Sequence, residues 1–206
     1  QERQLIWTLL FETDLSSRKE AAYRLKDFAA FSKDSRDALL QVLLSKQEPD
    51  SLRHLCAKSL APSPAAFDKR VPEALIHASQ NPWNSDELRA LALKSLYLMT
   101  KVPSVEAHLK KLLKAGSQEP ADLRRAAAWA SFLGAADSDL REALRSRAGD
   151  EDEEDGLRVE AIKSLYGAMS LQRVKSAVLS LAKDDRQPLG VRFIAVLTLI
   201  TRRGDH

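Results

Sequence analysis

The chain has 206 residues, 44% of them hydrophobic and 30% charged, which is typical of a globular protein and excludes a disordered one. Its net charge of +3 is small beside the clustered excess of a strong nucleic-acid binder. The single cysteine, Cys56, excludes an internal disulfide. The sequence has no run of 18 apolar residues, so it predicts no transmembrane helix.

Two kinds of amphipathic helix alternate in chain order. The first kind is predicted at residues 5–11, 35–44, 71–78, 105–113, 140–147 and 173–182. The second kind is marked by an arginine at Arg18, Arg53, Arg89, Arg124, Arg158 and Arg192, with spacings of 35, 36, 35, 34 and 34 residues. A fixed period of this length indicates a repeat architecture.

The same sequence frame surrounds each arginine, whose position we number 0. Position −1 is apolar in five cases, namely Leu52, Leu88, Leu123, Leu157 and Val191. Position +3 is small, namely Ala21, Cys56, Ala92, Ala127, Ala161 and Ala195, and position +7 is leucine except at Ser131. These offsets share one side of an α-helix, so we predict that they are buried, Cys56 included.

Each period therefore holds two helices, which form a hairpin. A single hairpin cannot bury its own apolar stripe, so successive hairpins must stack. The expected repeats are approximately residues 1–32, 33–62, 63–100, 101–135, 136–170 and 171–206, in a single domain covering 1–206.

The arginine-marked segments carry a family resemblance. The sequences LRHLCAKSL (52–60), LRALALKSL (88–96), LRVEAIKSL (157–165) and VRFIAVLTL (191–199) resemble the second helix of HEAT repeats. Tetratricopeptide repeats need a Trp-Leu-Gly-Tyr type of frame that is absent here, and armadillo repeats are longer and three-helical. The predicted fold class is all-α, a right-handed α-solenoid of about six HEAT-like helical hairpins.

The resemblance also implies a structural role for recurring charges. In HEAT proteins an Arg and an Asp form a ladder between adjacent repeats. The implied ladder residues here are Arg53, Arg89, Arg124 and Arg158 with Asp50, Asp86, Asp122 and Asp155.

Positions +1, +5 and +8 point away from the predicted core and in HEAT stacks line the concave side. They predict a partner-binding strip of lysines and aromatic residues, consisting of Lys58, Lys94, Tyr97, Arg125, Trp129, Phe132, Lys163 and Tyr166. The strip could bind a protein or peptide, preferably an acidic one, or a nucleic-acid backbone. In a third interpretation the lysines are only solvated and the aromatic rings fill gaps between helices.

No catalytic residue, metal site or cofactor is predicted. The four histidines are scattered, and the chain has no Gly-rich phosphate loop and no Ser-centred elbow. Among HEAT-like proteins, DNA glycosylases use Trp and Asp in a cleft, and another group attaches bilins to phycobiliproteins. No segment of this sequence matches a motif of either group. The expected function is a non-catalytic interaction scaffold, and the alternative is nucleic-acid-backbone binding of the HEAT-like DNA glycosylase type.

The two ends and one acidic run add three expectations. Both the stretch around Trp7 and the last helix are apolar nearly all round, so we expect self-association, a covering partner or further repeats there. The six acids at 150–155 are expected to form a solvated loop. Because the chain starts with Gln1 and has no signal peptide, we expect a soluble protein, cytoplasmic or exported in mature form.

Overall fold

The computed structural model describes residues 1–61 and 68–201, with every side chain in those ranges except that of Ser117. Within them the chain forms twelve α-helices and no strand. The first helices of the pairs are Glu2–Phe11 (α1), Lys33–Leu44 (α3), Arg70–Gln80 (α5), Pro103–Lys114 (α7), Ser138–Gly149 (α9) and Gln172–Lys183 (α11). The second helices are Leu15–Ala29 (α2), Asp50–Leu60 (α4), Asp86–Lys94 (α6), Ala121–Ala130 (α8), Asp155–Ser164 (α10) and Leu189–Thr201 (α12).

This alternation confirms the all-α class and the six helix pairs. Every stretch predicted as a first helix lies inside one, and every marking arginine lies in the first turns of a second helix. Short 3₁₀ helices at Tyr97–Met99, Phe132–Gly134 and Tyr166–Ala168 follow α6, α8 and α10. None of the described helices is long and apolar enough to cross a membrane.

The chain divides into two compact units, residues 1–105 and the residues from Glu106 onward. In the first unit α2 packs against α1 and α4, and α4 packs against α3 and α6. In the second unit α10 packs against α8, α9 and α12, and α12 packs against α11. Each unit thus stacks hairpins through their second helices. The repeat boundary predicted at residues 62 and 63 lies outside the described residues.

The buried side of the second helices follows the predicted offsets. All six residues at position +3 and all five apolar residues at position −1 are buried. Position +7 is buried as well, except that Leu199 is half-buried. Cys56, at position +3, is fully buried, as expected for a small apolar residue.

Polar caps and prolines set the beginnings of the helices. Asp14 accepts a hydrogen bond from the Ser17 backbone N–H at 2.7 Å, and Asp137 accepts one from Leu140 at 2.8 Å. These side chains satisfy N–H groups that have no partner within the helix. Pro49 and Pro120 stand immediately before the first residues of α4 and α8, where the absence of an N–H is tolerated.

Candidate partner-binding surface

The marking arginines join the two helices of their own hairpin. Nε of Arg53 donates to the Leu43 carbonyl at 3.0 Å, and Nε of Arg89 donates to the Ser79 carbonyl at 3.0 Å. Arg18 and Arg158 make the same contact, at 2.8 Å to the Leu9 carbonyl and 3.4 Å to the Ala148 carbonyl. All four carbonyls lie in the last turn of a first helix, where intrahelical donors are missing. Arg124 instead reaches the Glu119 carbonyl at 3.1 Å, in the loop before α8.

Three of these arginines also reach the following repeat. Arg18 lies 2.6 Å from a carboxylate oxygen of Glu48. Arg124 pairs with the Glu153 carboxylate, and Arg158 donates to the Gln187 side-chain oxygen. Each partner stands five residues before the next marking arginine. The guanidinium therefore connects consecutive hairpins, and its planar set of donors serves two acceptors at once.

The aspartates that the HEAT resemblance implies for this ladder pair mainly with arginines of their own helix. Asp50 and Asp86 each lie 3.1 Å from the arginine three residues later in their own helix, and Asp155 lies 3.8 Å from Arg158 in the same way. Asp122 pairs with Arg125 rather than with Arg124. Residues three apart are neighbours on one helix, which favours these local pairs.

Asp50 alone among these aspartates has a described contact with the next repeat. Its carboxylate accepts a hydrogen bond from the backbone N–H of Ser85, the N-cap residue of α6, at 3.4 Å. Hydrogen bonds from Ser85 lower the pKa of Asp50 below its ordinary value.

Position −5 is a further position of the ladder, and the sequence carries a visible signal for it. An acid or an amide occupies it in five repeats, namely Glu48, Asn84, Glu119, Glu153 and Gln187. This residue lies in the loop that precedes the second helix, from which it can reach the arginine of the preceding repeat.

The acidic run at 150–155 departs in part from the solvated loop expected. The Glu153 side chain is only 5% exposed, and it accepts from Arg124 and, at 3.2 Å, from Arg147. Glu151 accepts from the Gln187 amide at 3.1 Å. A buried carboxylate needs such partners because desolvation disfavours its charged form. The run therefore includes a structural residue of the ladder.

In the first unit the strip residues Lys58 and Lys94 occupy position +5 of α4 and α6, two helices that pack against each other. Both lysines are exposed, and Tyr97 is half-buried. Neither lysine forms an ion pair within residues 1–61 and 68–201. Their charges are therefore available to a ligand.

In the second unit α8 and α10 bring the other strip residues to adjacent helices. The Ser164 hydroxyl on α10 donates to the Ala128 carbonyl on α8 at 2.7 Å, so the two backbones approach closely. Trp129 and Phe132 are 38% and 41% exposed, and Tyr166 is half-buried. These partly exposed rings supply apolar contact area beside the charged residues.

The cations of this second group already have acidic neighbours. Arg125 pairs with Asp122 and lies 3.8 Å from Glu154, and Lys163 lies 3.4 Å from Glu160. Arg125 and Lys163 are nearly half exposed. Solvent-exposed pairs of this kind contribute about 0–1 kcal/mol, so a carboxylate of a ligand can compete with them.

One buried cysteine and one buried histidine lie outside the strip among the described residues. Residues 1–61 and 68–201 contain no group of three or more His, Cys, Asp or Glu side chains that could hold a metal ion. Burial raises the pKa of the Cys56 thiol, which keeps it protonated and unreactive. Burial also lowers the pKa of His108 to about 4, so this imidazole is neutral at physiological pH.

Trp83 and an apolar groove in the first unit lie outside the strip. Trp83, in the loop before α6, is 87% exposed. An open groove of about 570 Å³ lies between α3 and α5, where Leu40, Leu44 and Ala74 form its apolar lining beside His77. A single exposed ring and an isolated groove specify no chemistry by themselves, so the strip remains the candidate surface.

Comparison with known proteins supports the fold. No protein-family model and no curated protein sequence matches the chain. A designed armadillo repeat protein is similar in structure, with a TM-score of 0.55 and 16% identity over 97% of this chain and 98% of that chain. The complex of CpcE and CpcF of phycocyanin lyase from a Nostoc species gives a TM-score of 0.65 and 19% identity over 96% of this chain and 75% of that one.

A structure of Kap95p with RanGDP gives a TM-score of 0.61 and 13% identity. That match covers 96% of this chain and 27% of the other, much longer one. Identities this low establish the helical-repeat fold alone.

Proposed function

We propose that this protein is a HEAT-like, non-catalytic scaffold that binds acidic segments of a partner protein through the strip residues of each unit. The observation that carries the proposal is the solvent exposure of position +5. This position is exposed in all six second helices, while position +3 is buried in all six. Three of the six residues at +5 are lysines, and a fourth is Trp129.

The strip combines two elements of protein recognition. Exposed lysines attract carboxylates from a distance and speed encounter. Trp129 and Phe132 supply the partly exposed aromatic area on which binding energy is concentrated in protein interfaces. An acidic segment with one or two large apolar side chains matches both elements.

Two structural neighbours are consistent with a role in protein assembly. One is a complex of CpcE with CpcF, and the other is a complex of Kap95p with RanGDP. This likeness supports the scaffold proposal as an analogy of fold, and the residues of the strip carry the assignment of the surface.

The test is a double charge reversal, Lys94→Glu with Lys163→Glu. Binding of fluorescein-labelled acidic peptides, each with a central Trp or Leu, would be followed by fluorescence anisotropy. We expect the affinity to fall at least tenfold, because two attractive charges become repulsive. The melting temperature should change little, since both lysines are exposed.

The matched control is Lys46→Glu with Lys114→Glu, which changes the net charge equally on exposed lysines outside the strip. Equal loss of affinity in both double variants would show a nonspecific charge effect and refute the assignment to the strip. Unchanged binding in the Lys94 and Lys163 variant would refute it as well.

A nucleic-acid backbone is the second candidate, favoured by the same lysines beside rings that can stack on bases. The carboxylates near Arg125 and Lys163 repel phosphates and peptide carboxylates alike, so these charges do not distinguish the two candidates. Titration with a 12-nucleotide single strand at increasing salt separates the two. A phosphate binder would prefer the strand over the peptides and lose affinity steeply toward physiological salt.

A further inference from the structure

Helix α1 exposes a tryptophan at a position that faces solvent throughout the first unit. The first helices α1, α3 and α5 align on three buried leucines at equivalent positions, namely Leu5, Leu39 and Leu75. In this register Trp7, which is 55% exposed, corresponds to Gln41 and His77, and both of these are exposed too. Helix α3 packs against α1 on one side and α5 on the other, so this position faces solvent even between two neighbours. The exposure of Trp7 therefore does not result from its place in the first repeat.

Trp7 and Phe11 together form an aromatic patch. Phe11 lies one turn after Trp7 and is 66% exposed, and the centroids of the two rings are 6.2 Å apart. Residues four apart lie on the same face of a helix, so the two rings are contiguous. A contiguous exposed apolar patch marks an interaction site more often than a single exposed residue does.

The groove between α3 and α5 lies on the same outer side of the first helices. It has a volume of about 570 Å³, and Leu40, Leu44 and Ala74 form its apolar lining. Gln41 and His77, the equivalents of Trp7, border it. The groove and Trp7 therefore lie at the same height along the helices, although they belong to different helices of the stack.

A two-fold axis parallel to the helices would bring these two features together. Rotation about such an axis reverses the order of α1, α3 and α5 and leaves every height along the helices unchanged. Helix α1 of one copy then lies over the groove of a second copy, and Trp7 meets that groove between Gln41 and His77. Each contact of such an isologous interface occurs twice.

The charges one turn away match in the same arrangement. Arg3 precedes Trp7 by four residues, and its equivalents in the register are Asp37 and Glu73. Asp37 already pairs with Arg70 at 2.7 Å. Arg3 and Glu73 are exposed, and neither forms an ion pair within residues 1–61 and 68–201. The two-fold axis places Arg3 of one copy beside Glu73 of the other, so this side complements itself in charge as well as in shape.

We propose that the outer side of α1, α3 and α5 is the interface of a homodimer. Trp7 of each copy occupies the groove between α3 and α5 of the other, where its indole packs against Leu40 and Leu44, and Arg3 pairs with Glu73. Two aromatic contacts and two ion pairs make a small interface, so the dissociation constant should be micromolar. These residues lie outside the strip, and the dimer is independent of the function proposed above.

The test is sedimentation velocity of the full chain at concentrations from about 1 µM to about 500 µM. We expect a reversible equilibrium between monomer and dimer. Trp7→Ala and Leu44→Asp should each weaken dimerisation at least tenfold, because a buried aromatic anchor or its apolar pocket is lost. The matched control is Trp83→Ala, which removes a tryptophan that is 87% exposed outside this interface and should leave the equilibrium unchanged.

A charge swap tests the register of the two copies. Arg3→Glu and Glu73→Arg should each weaken the dimer about threefold to tenfold, because like charges then face each other. The double variant should return to nearly the affinity of the wild type, since the opposite charges are restored. Both residues are exposed, so the melting temperature of each variant should stay nearly constant.

Photo-crosslinking of the purified protein maps the contact directly. Benzoylphenylalanine at position 7 should give an adduct with the mass of a dimer, and mass spectrometry should locate the crosslink in residues 40–44 or 73–77 of the second copy. Lys94→Glu with Lys163→Glu should leave both the adduct and the dimer unchanged, which separates this surface from the strip.

Four results would overturn the proposal. The first is a monomer over the whole concentration range, and the second is a dimer that persists unchanged in Trp7→Ala and Leu44→Asp. The third is a double charge variant that dimerises no more tightly than its single parents. The fourth is a crosslink from position 7 to the second unit of the other copy.

Discussion

Replacing Arg158 with alanine tests the role of the arginine ladder. The Arg158 side chain is only 2% exposed, so its guanidinium is nearly removed from water. It donates to the Ala148 carbonyl at the end of α9 and to the Gln187 side chain of the next hairpin. Its nearest carboxylate, that of Asp155, is 3.8 Å away.

Two opposing effects determine how much Arg158→Ala changes the free energy of unfolding. Hydrogen bonds from a charged donor contribute about 1.5–3 kcal/mol each, and the truncation also leaves a cavity and an unsatisfied carbonyl. Burial of the guanidinium costs several kcal/mol, and the alanine variant is relieved of that cost. We expect a net loss of about 2–4 kcal/mol for Arg158→Ala. Arg158→Met keeps most of the volume, and its loss should be about 1–2 kcal/mol.

The measurement is urea unfolding followed by circular dichroism at 222 nm. Hydrogen exchange of residues 138–164 would show whether the change is local to α9 and α10. The control is Arg145→Ala, which removes a half-exposed ion pair with Glu142 on the same pair of helices. Its effect should stay below about 1 kcal/mol.

One result would refute this reasoning. If Arg158→Met is as stable as the wild type or more so, the hydrogen bonds of the ladder do not exceed the desolvation of the guanidinium. The conclusion that they stabilise the stack would then be wrong. A loss in Arg158→Ala no larger than that in Arg145→Ala would lead to the same conclusion.

Two further predictions concern pH and packing. Hydrogen bonds from Arg70 and then Arg36 hold the pKa of Asp68 at about 2, below its ordinary value of 3.8. The stability that Asp68 contributes is therefore fully present above pH 3.8 and lost as the pH falls through about 2. The free energy of unfolding should fall by about 2 kcal/mol over this range in the wild type. Urea titrations at several pH values should show a smaller fall in Asp68→Asn. Ala161→Arg should unfold the second unit, because Ala161 is 0% exposed and leaves no room for a long side chain, and circular dichroism would show the loss of helix.

Each of these has a direct check. A pH dependence equally steep in wild type and Asp68→Asn would contradict the assignment to this carboxylate. For the packing prediction, Ala136→Arg places the same side chain at an exposed position and should leave the protein folded. A folded Ala161→Arg protein would show that position +3 is not tightly packed.

The period of the sequence was sufficient for the fold class, because helix pairs that repeat every 34 to 36 residues must stack to bury their stripes. The offsets −1 and +3 predicted buried residues correctly for the same reason, since a helix has one fixed angular period. Cys56 illustrates this, because its register alone predicted that it is buried.

The pairing of charges depended on tertiary structure. The sequence places Asp155 three residues before Arg158 and Gln187 twenty-nine residues after it, and only the packing of α10 beside α12 shows that Arg158 donates to Gln187. Glu153 likewise belongs to an acidic run that the sequence predicts to be solvated, whereas in the fold Arg124 and Arg147 pair with it.

For the exposed face of α12, the sequence and the tertiary structure again determine different features. The sequence by itself determined that the last helix is apolar, since Phe193, Val196 and Ile200 are read directly from it. Only the tertiary structure decided which side is covered, because burial depends on the neighbouring hairpin and not on helical periodicity. It leaves Val196 exposed at a position where the equivalent residue Ile162 is buried.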